Sequence, residues 1–445
     1  MHFPRLIRGR WLVLPVAFAL VVAACQPGAT TPGPGTPGPT PAGTPDATGP
    51  VEGGTVTVIG TWGGDEQDAF LAMVAPFEQR TGIDVQYTGT RDINTVLTTG
   101  VASGILPDLA GLPGPGQMQQ WARDGALVDL STVLDVGQYE STTAPAFVEL
   151  GTVDGKIAGV FIKSAIKGLI WYNPNHVTDI PGSWSDVESM AASPSPAGAG
   201  WCIGIESGAA SGWPGTDWIE NILIRQAGPD VYDAWWQGDH PWTSPEVRQA
   251  FETYGQAVQN AHGGATAVVS TNFGDAGQPL FTDPPGCLFH HQASFITGFF
   301  AEFPQSPQPG TDYDFFVMPD MNDQYAGAVT GAGDLFGMFN DTPQARALMQ
   351  YLVTAEAQQI WVDRGGALSG NLEVTTYPDD VSSASAAALR EANIFRFDGS
   401  DLMPEAMNAA FWQAMVDYTQ NPGQLDAILE RLDGVRTDPA TYGGQ

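Results

Sequence analysis

The first regular stretch of the chain alternates, with Val56 and Val58 at every second position across 54–61, the period of a half-buried strand. Trp62-Gly63-Gly64 interrupts it as a turn, and Asp65 stands where an N-cap would open a helix. The period then lengthens, placing Phe70, Met73, Val74 and Phe77 on one helical face up to Gly82. Ile83, Val85 and Tyr87 return to alternation. A second helix follows through Ile93, Val96, Leu97 and Val101 to Gly104, then a strand over 105–112 and a short helix over 117–124. Strand and helix alternating through short links predict a mostly parallel sheet covered on both faces, an α/β fold. Ligands of such sheets sit beyond the carboxyl ends of the strands, which places 62–66 and 108–115 at the ligand edge.

From Val153 the pattern changes. Strands are predicted over 156–161 and 168–172, with 162–167 as a crossover out of a first lobe. Helices over 184–192, 218–226 and 245–260 and strands over 287–291 and 313–318 supply a second lobe. Pro319 opens another crossover, and 327–339 returns to small and apolar residues. Thr342 caps a helix with Pro343 at its first position and Leu348, Tyr351, Leu352 and Ile360 facing inward, ended by Gly365-Gly366. Two C-terminal helices, 404–419 and 424–432, bury Met407, Phe411 and Met415, then Leu425, Ile428, Leu429 and Leu432.

The N-terminal segment stands apart from this pattern. Arg5, Arg8 and Arg10 precede an apolar run over 11–22 and then Ala23-Ala24-Cys25, the layout of an export signal over 1–24. The run is short for a permanent membrane span. Val22-Ala23-Ala24-Cys25 resembles a bacterial lipobox, in which Cys25 is acylated and becomes the first mature residue; an ordinary cleaved signal is the alternative. Residues 26–50 are mostly Pro, Gly, Thr and Ala and predict an extended tether, so 25–53 is read as lipidated cysteine plus linker. The expected location is the extracytoplasmic face of the cell membrane, reached through a lipid anchor only.

Composition narrows the partners. The 445 residues carry 17 basic and 49 acidic side chains, a formal charge of −32, and loss of the three leader arginines deepens the excess. Such a balance argues against nucleic acid and against adsorption to anionic lipid. With Cys25 acylated, Cys202 and Cys287 remain as an even pair in an oxidising compartment. A bridge between them closes a loop of about 85 residues, worth roughly 4 kcal/mol in the chain-entropy treatment; two separate buried thiols is the other reading. His290 and His291 are adjacent and on a strand point to opposite faces, and no metal, nucleotide or nucleophile motif occurs. No metal and no cofactor are expected.

The stretch 200–223, GWCIGIESGAASGWPGTDWIENIL, gathers Trp201, Trp213 and Trp218 with Glu206, Asp217 and Glu220 around a run of small residues. Indole faces cover the C–H face of a pyranose, and carboxylates accept hydrogen bonds from its hydroxyls. Trp213, Asp217 and Trp218 form the strongest candidate group, while Trp201 beside Cys202 reads as core. Trp62, Gly64, Asp65 and Glu66 follow the first strand, where two glycines let backbone approach a ligand; the acids serve equally as hydroxyl acceptors or as partners of the helix N-terminus. Lys163 in the crossover is either a donor to sugar oxygens or a solvated hinge charge. Asp334 lies between glycines where the first lobe would meet the ligand, and Arg364 is either a ligand residue or a cation at a helix C-terminus.

Several segments taken in order resemble one family. They include GTVTVIGTWGGDEQDAFLAMVAPFEQRTGIDVQY, LPDLAGLPGPGQM, DGKIAGVFIKSAIKGLIWYN, the aromatic stretch above, CLFHHQASFI, VTGAGDLFGMFN and LMPEAMNAAFWQAM. Together they resemble the extracellular solute-binding proteins of bacterial carbohydrate-uptake ABC transporters, with the aromatic motif most similar to alpha-glucoside-type members. The resemblance spans 54–432. It implies a type II periplasmic-binding fold of two hinged lobes, 54–162 plus 327–370 and 167–319 plus 375–440, that close on a carbohydrate. It also implies a monomer that delivers its ligand to ABC permease subunits and transforms nothing. Asp108 resembles the family's cleft-edge acid, with fixing of a turn as the alternative, and Trp412 aligns with an aromatic platform in the family, although helical spacing alone reads it as core. A tethered glycoside hydrolase would share the aromatics and carboxylates, and a sensory receptor would share the fold.

Overall fold

The computed structural model describes residues 52–112 and 114–442; the export signal, Cys25 and nearly all of the tether lie outside the described residues. Two sheets organise them. The first contains β1 (Thr55–Gly60), β2 (Asp84–Gly89) and β3 (Leu109–Leu112). After a small hairpin, β4 (Thr152–Val153) and β5 (Lys156–Ile157), comes β6 (Val160–Ile166). The second sheet contains β7 (Leu169–Tyr172), β8 (Trp201–Cys202), β9 (Phe289–Gln292) and β10 (Asp314–Val317). The chain then returns to the first sheet through β11 (Ala328–Met338) and β12 (Ile394–Phe397).

Strand order in the first sheet is β12-β11-β3-β1-β2, with β6 also paired to β11; in the second it is β10-β7-β9-β8. β1 runs parallel to β2 and β3, as the alternating helices require, while β11 is antiparallel to β3 and β6. β12 comes from the stretch expected wholly in the second lobe, yet it pairs with β11 at the edge of the first sheet.

Each sheet has its own core. Helix Gly64–Thr81 lays Phe70, Met73, Val74 and Phe77 on β1 and β2, as its period predicts. Its N-cap is Gly63 rather than Asp65, which sits exposed in the first turn and faces the positive helix end. Thr342 caps its helix as expected, accepting from the Ala345 N–H. Around the second sheet, helices Trp213–Ala227, Pro245–Gln259, Glu405–Gln420 and Leu425–Arg436 converge on Trp218, Trp235, Trp242 and Phe411. Cys202 and Cys287 are joined in a disulfide, with Cα atoms 5.6 Å apart, tying β8 to the segment that enters β9.

The chain passes between the sheets at three places: from β6 to β7, from β10 to β11, and after β12 into helix Glu405–Gln420. β6 turns into β7 at Lys167-Gly168, where Gly168 has φ 74 and an added Cβ would lie 2.1 Å from Asn221 Oδ1, so only glycine fits the turn. β11 pairs β6 along its middle and β3 beyond a register shift at Asp334/Leu335. Among the described residues no helix is long and apolar enough to cross a membrane.

Candidate functional site

A cavity of about 340 Å³ lies between the two lobes. The first lobe contributes Trp62, Glu66, Arg91 and Asp334; the second contributes Trp213, Asp217, Phe273, Phe295 and Trp412. Lys163 and Lys167 rise between them from β6 and its turn, four residues apart and hence on one face of an extended chain. The chain has three lysines, and two are buried here.

Lys163 stands opposite Asp334 in the β6–β11 register. Its Nζ donates to Glu66 Oε1 at 2.6 Å and lies 3.6 Å from Asp334 Oδ2 and 4.8 Å from the Trp361 ring. Burial disfavours the ammonium, but the two carboxylates outweigh it and hold its pKa above the ordinary lysine value. Burial pushes the Asp334 carboxyl up, only partly offset by Lys163. Lys163 is therefore no solvated hinge charge but a buried cation that fixes two acids at the cavity wall.

Lys167 sits at the floor. Its backbone N–H bonds Thr330 O, and its Nζ bonds Asp217 Oδ1 at 2.6 Å and Asp398 Oδ2. Asp398 also accepts from Ser400 Oγ and the Asp401 N–H. Glu220, one helical turn below Asp217, accepts from the Gly399 and Ser400 N–H groups. Burial opposes the Lys167 charge, yet Asp217 and Asp398 hold it well above the usual range. Burial raises Asp217 to about 7 against the pull of Lys167, and it raises Glu220 and Asp401 well above their ordinary values. Asp217, Glu220 and Asp398 approach as a metal trio would, but Asp217 and Asp398 already share the Lys167 ammonium and Glu220 accepts from the Gly399 and Ser400 N–H groups.

An aromatic wall closes the second-lobe side. Trp213 lies 5.0 Å from Phe273 and 6.0 Å from Phe295 between ring centroids, and Lys167 Nζ is 5.5 Å from its centroid. Trp213 opens its helix at Gly212, which has φ 111; a Cβ there would lie 2.1 Å from Trp412 O. Glycine thus brings the aromatic loop against the Trp412 backbone. The Trp412 indole N–H has no protein partner and its ring borders the cavity.

Of the residues expected from the sequence, Trp62, Glu66, Lys163, Trp213, Asp217, Asp334 and Trp412 border this cavity. Trp62 does so chiefly as an edge, since it is 2% exposed and packed between Tyr87, Phe336 and Trp361. Trp218 does not reach the cavity. At 3.6 residues per turn Asp217 falls about 40° from Trp213 and Trp218 about 140°, so Trp218 turns into the core. There it meets Trp201 and His291 at 4.8 and 4.4 Å. Asp108 is also elsewhere: its carboxylate accepts from the Thr57 N–H and Oγ1, both 2.9 Å, bracing β1 against β3. Asp65 borders a side pocket with Glu302 and with Arg364, the last residue of helix Ala355–Arg364, and Gly64 borders an outer chamber; of the first turn of helix Gly64–Thr81 only Glu66 reaches Lys163.

Arg91, Lys167, Phe273, Phe295, Asp398 and Asp401 were not anticipated. Lys167 had a signal, its i,i+4 spacing from Lys163 on a strand; the others reach the site only through chain folding.

Comparison with known proteins accounts for this architecture. Residues 63–359 match the family model described as bacterial extracellular solute-binding protein. The chain belongs to that family. The solute-binding protein is 37% identical over 385 residues to an osmoprotective compounds-binding protein of Synechocystis, covering 84% of this chain and 90% of that one. It is 34% identical over 395 residues to an alpha-glucosides-binding periplasmic protein of Rhizobium meliloti, covering 84% and 86%. Its fold matches a solved chitin oligosaccharide binding protein with TM-score 0.73, 19% identity and coverage of 86% and 98%. It also matches maltose-bound MalE3 of T. maritima with TM-score 0.68, 17% identity and the same coverage. The solute-binding protein therefore has the two-lobed type II periplasmic-binding fold.

Proposed function

We propose that this protein captures an alpha-glucoside or a similarly small neutral sugar between its lobes and delivers it to the permease of an ABC importer. The observation that carries this reading is the pairing of Trp213, Phe273 and Trp412 with Asp334, Asp217 and Asp401 in one interlobe cavity. Ring faces take the apolar side of a pyranose and carboxylates accept from its hydroxyls. One relative is named for binding alpha-glucosides, which supports the sugar reading, and another for binding osmoprotective compounds.

In this reading 54–162 with 327–370 and β12 move as one body and 167–319 with the C-terminal helices as the other, about the segments that join the two sheets. Cys25 carries lipid, the tether holds a monomer at the extracytoplasmic face, and nothing is transformed. Against a hydrolase stands the commitment of the buried carboxylates: Glu66 is bonded to Lys163, and Asp217 and Asp398 to Lys167. A retaining glycosidase needs an acid/base carboxyl and a nucleophilic carboxylate, and an inverting one an acid and a base, both free to reach one glycosidic bond.

A thermal-shift screen over mono-, di- and trisaccharides tests the reading, because a ligand that binds only the folded state raises its melting temperature. A shift with an alpha-glucoside and no hydrolysis on long incubation is expected. No shift with any saccharide, or release of glucose, would overturn it.

A further inference from the structure

The cleft does not end at the inner cavity. A second chamber of about 370 Å³ adjoins it, bordered by Gly64, Gln67, Asn272, Phe299 and Glu302. The two chambers share Thr61, Trp62, Arg91, Ser207 and Phe273. Arg91 is the member that spans the gap. It leaves the first lobe just after β2, and its guanidinium carbon lies 5.1 Å from the centroid of Phe273 on the second lobe. On its own lobe Nη2 is 3.7 Å from Glu66 Oε2.

Both mounts of this bar are held. Glu66 is bonded to the buried Lys163. The Phe273 N–H donates to Glu206 O, and Asn272 Nδ2 donates to Glu206 Oε2 at 2.7 Å. Bonds from the Gly208 N–H and from the Asn272 side chain hold the Glu206 carboxyl below its ordinary pKa. A planar guanidinium stacked on a ring keeps its edge donors for ligand oxygens, a duty a lysine would not serve. The inner chamber alone is near the lower end of the ~300–1,000 Å³ range of small-molecule sites. The two joined would hold a longer chain.

We propose that Arg91 is a length selector: its side chain closes the inner chamber against the end of a short glycoside, one or two rings long, and shuts longer ligands out of the outer chamber. The inference rests on the sugar reading above. Arg91 contributes little to folding, since its ion pair is long and a third of its side chain is exposed. Its removal therefore tests selection rather than stability.

The test is calorimetry with methyl alpha-glucoside, three disaccharides (maltose, trehalose, sucrose) and two trisaccharides (maltotriose, raffinose). The proteins are wild type, Arg91→Ala and, for the opposite mount, Phe273→Leu. Wild-type affinity should not rise from the best disaccharide to its trisaccharide extension. In Arg91→Ala the ratio of trisaccharide to disaccharide affinity should rise at least fivefold, and Phe273→Leu should shift it the same way. An unchanged ratio in Arg91→Ala, with disaccharides still bound, overturns the selector and leaves the sugar reading standing. A wild type that gains affinity with each added ring overturns it equally. Failure of every saccharide to bind any of the three proteins overturns the sugar reading itself.

Discussion

Lys167 Nζ and Asp217 Oδ1 meet at 2.6 Å across fifty residues of chain, and the same ammonium reaches Asp398 far beyond both. One buried cation thus joins the β6–β7 turn, the start of helix Trp213–Ala227 and the end of β12. Replacing it with Met leaves several buried carboxylates without a counter-charge. Removing one partner of a buried pair costs about 3–5 kcal/mol, so urea unfolding of Lys167→Met should show a lower midpoint with an unchanged slope. A midpoint equal to wild type would mean that the acids are neutral without it.

Trp213 and Trp218 separate by function. Trp213→Ala should weaken ligand binding at least tenfold, about 1.4 kcal/mol, with the melting temperature of the unliganded protein little changed. Trp218→Ala empties a fully buried site and should cost about 3–5 kcal/mol of stability. Calorimetry and thermal melts of the two variants side by side check this, and the reverse assignment would show at once.

Asp108 serves the sheet. Asp108→Ala orphans the Thr57 N–H and should destabilise by about 1 kcal/mol. Ligand affinity should stay within twofold of wild type; a larger loss would return Asp108 to the ligand.

His290 gives a pH dependence of known sign. Burial lowers its folded pKa to about 4, although its Nδ1 bonds Cys202 O. A folded pKa below the unfolded value of about 6.5 contributes stability that is complete above pH 6.5 and is lost as pH falls toward 4. The stability difference between wild type and His290→Gln should therefore be largest near pH 7.5 and shrink on acidification between those limits. Denaturant titrations at several pH values measure it; a difference independent of pH would mean that the ring titrates alike in the folded and unfolded chains.

Periodicity along the chain was enough to find β1, β2 and β3 and the helix faces on which Phe70 and Leu348 pack, because each depends on residues close in sequence, whereas β11, β12 and most of β6, which complete the first sheet, carry no strand period that marks them. The ordered motifs were enough for the family. The site was legible only in part. Trp213 and Asp217 announce themselves by residue type, and Lys163 stands beside Asp334 through pairing of the two crossover strands. Trp218 reads as a ligand residue by type, but its helix begins at Trp213 rather than five residues later, which rotates its ring into the core. Asp108 and Trp62 carry the right chemistry, but hydrogen bonds to Thr57 and stacking on Phe336 claim them. The floor and the bar were hidden for a different reason. Lys167 meets Asp398, and Arg91 meets Phe273, only when lobes built from interleaved segments close on each other, and no local pattern records a contact between residues that far apart. Elements follow from neighbours in the chain, whereas the cavity's charges and its length follow from neighbours in space.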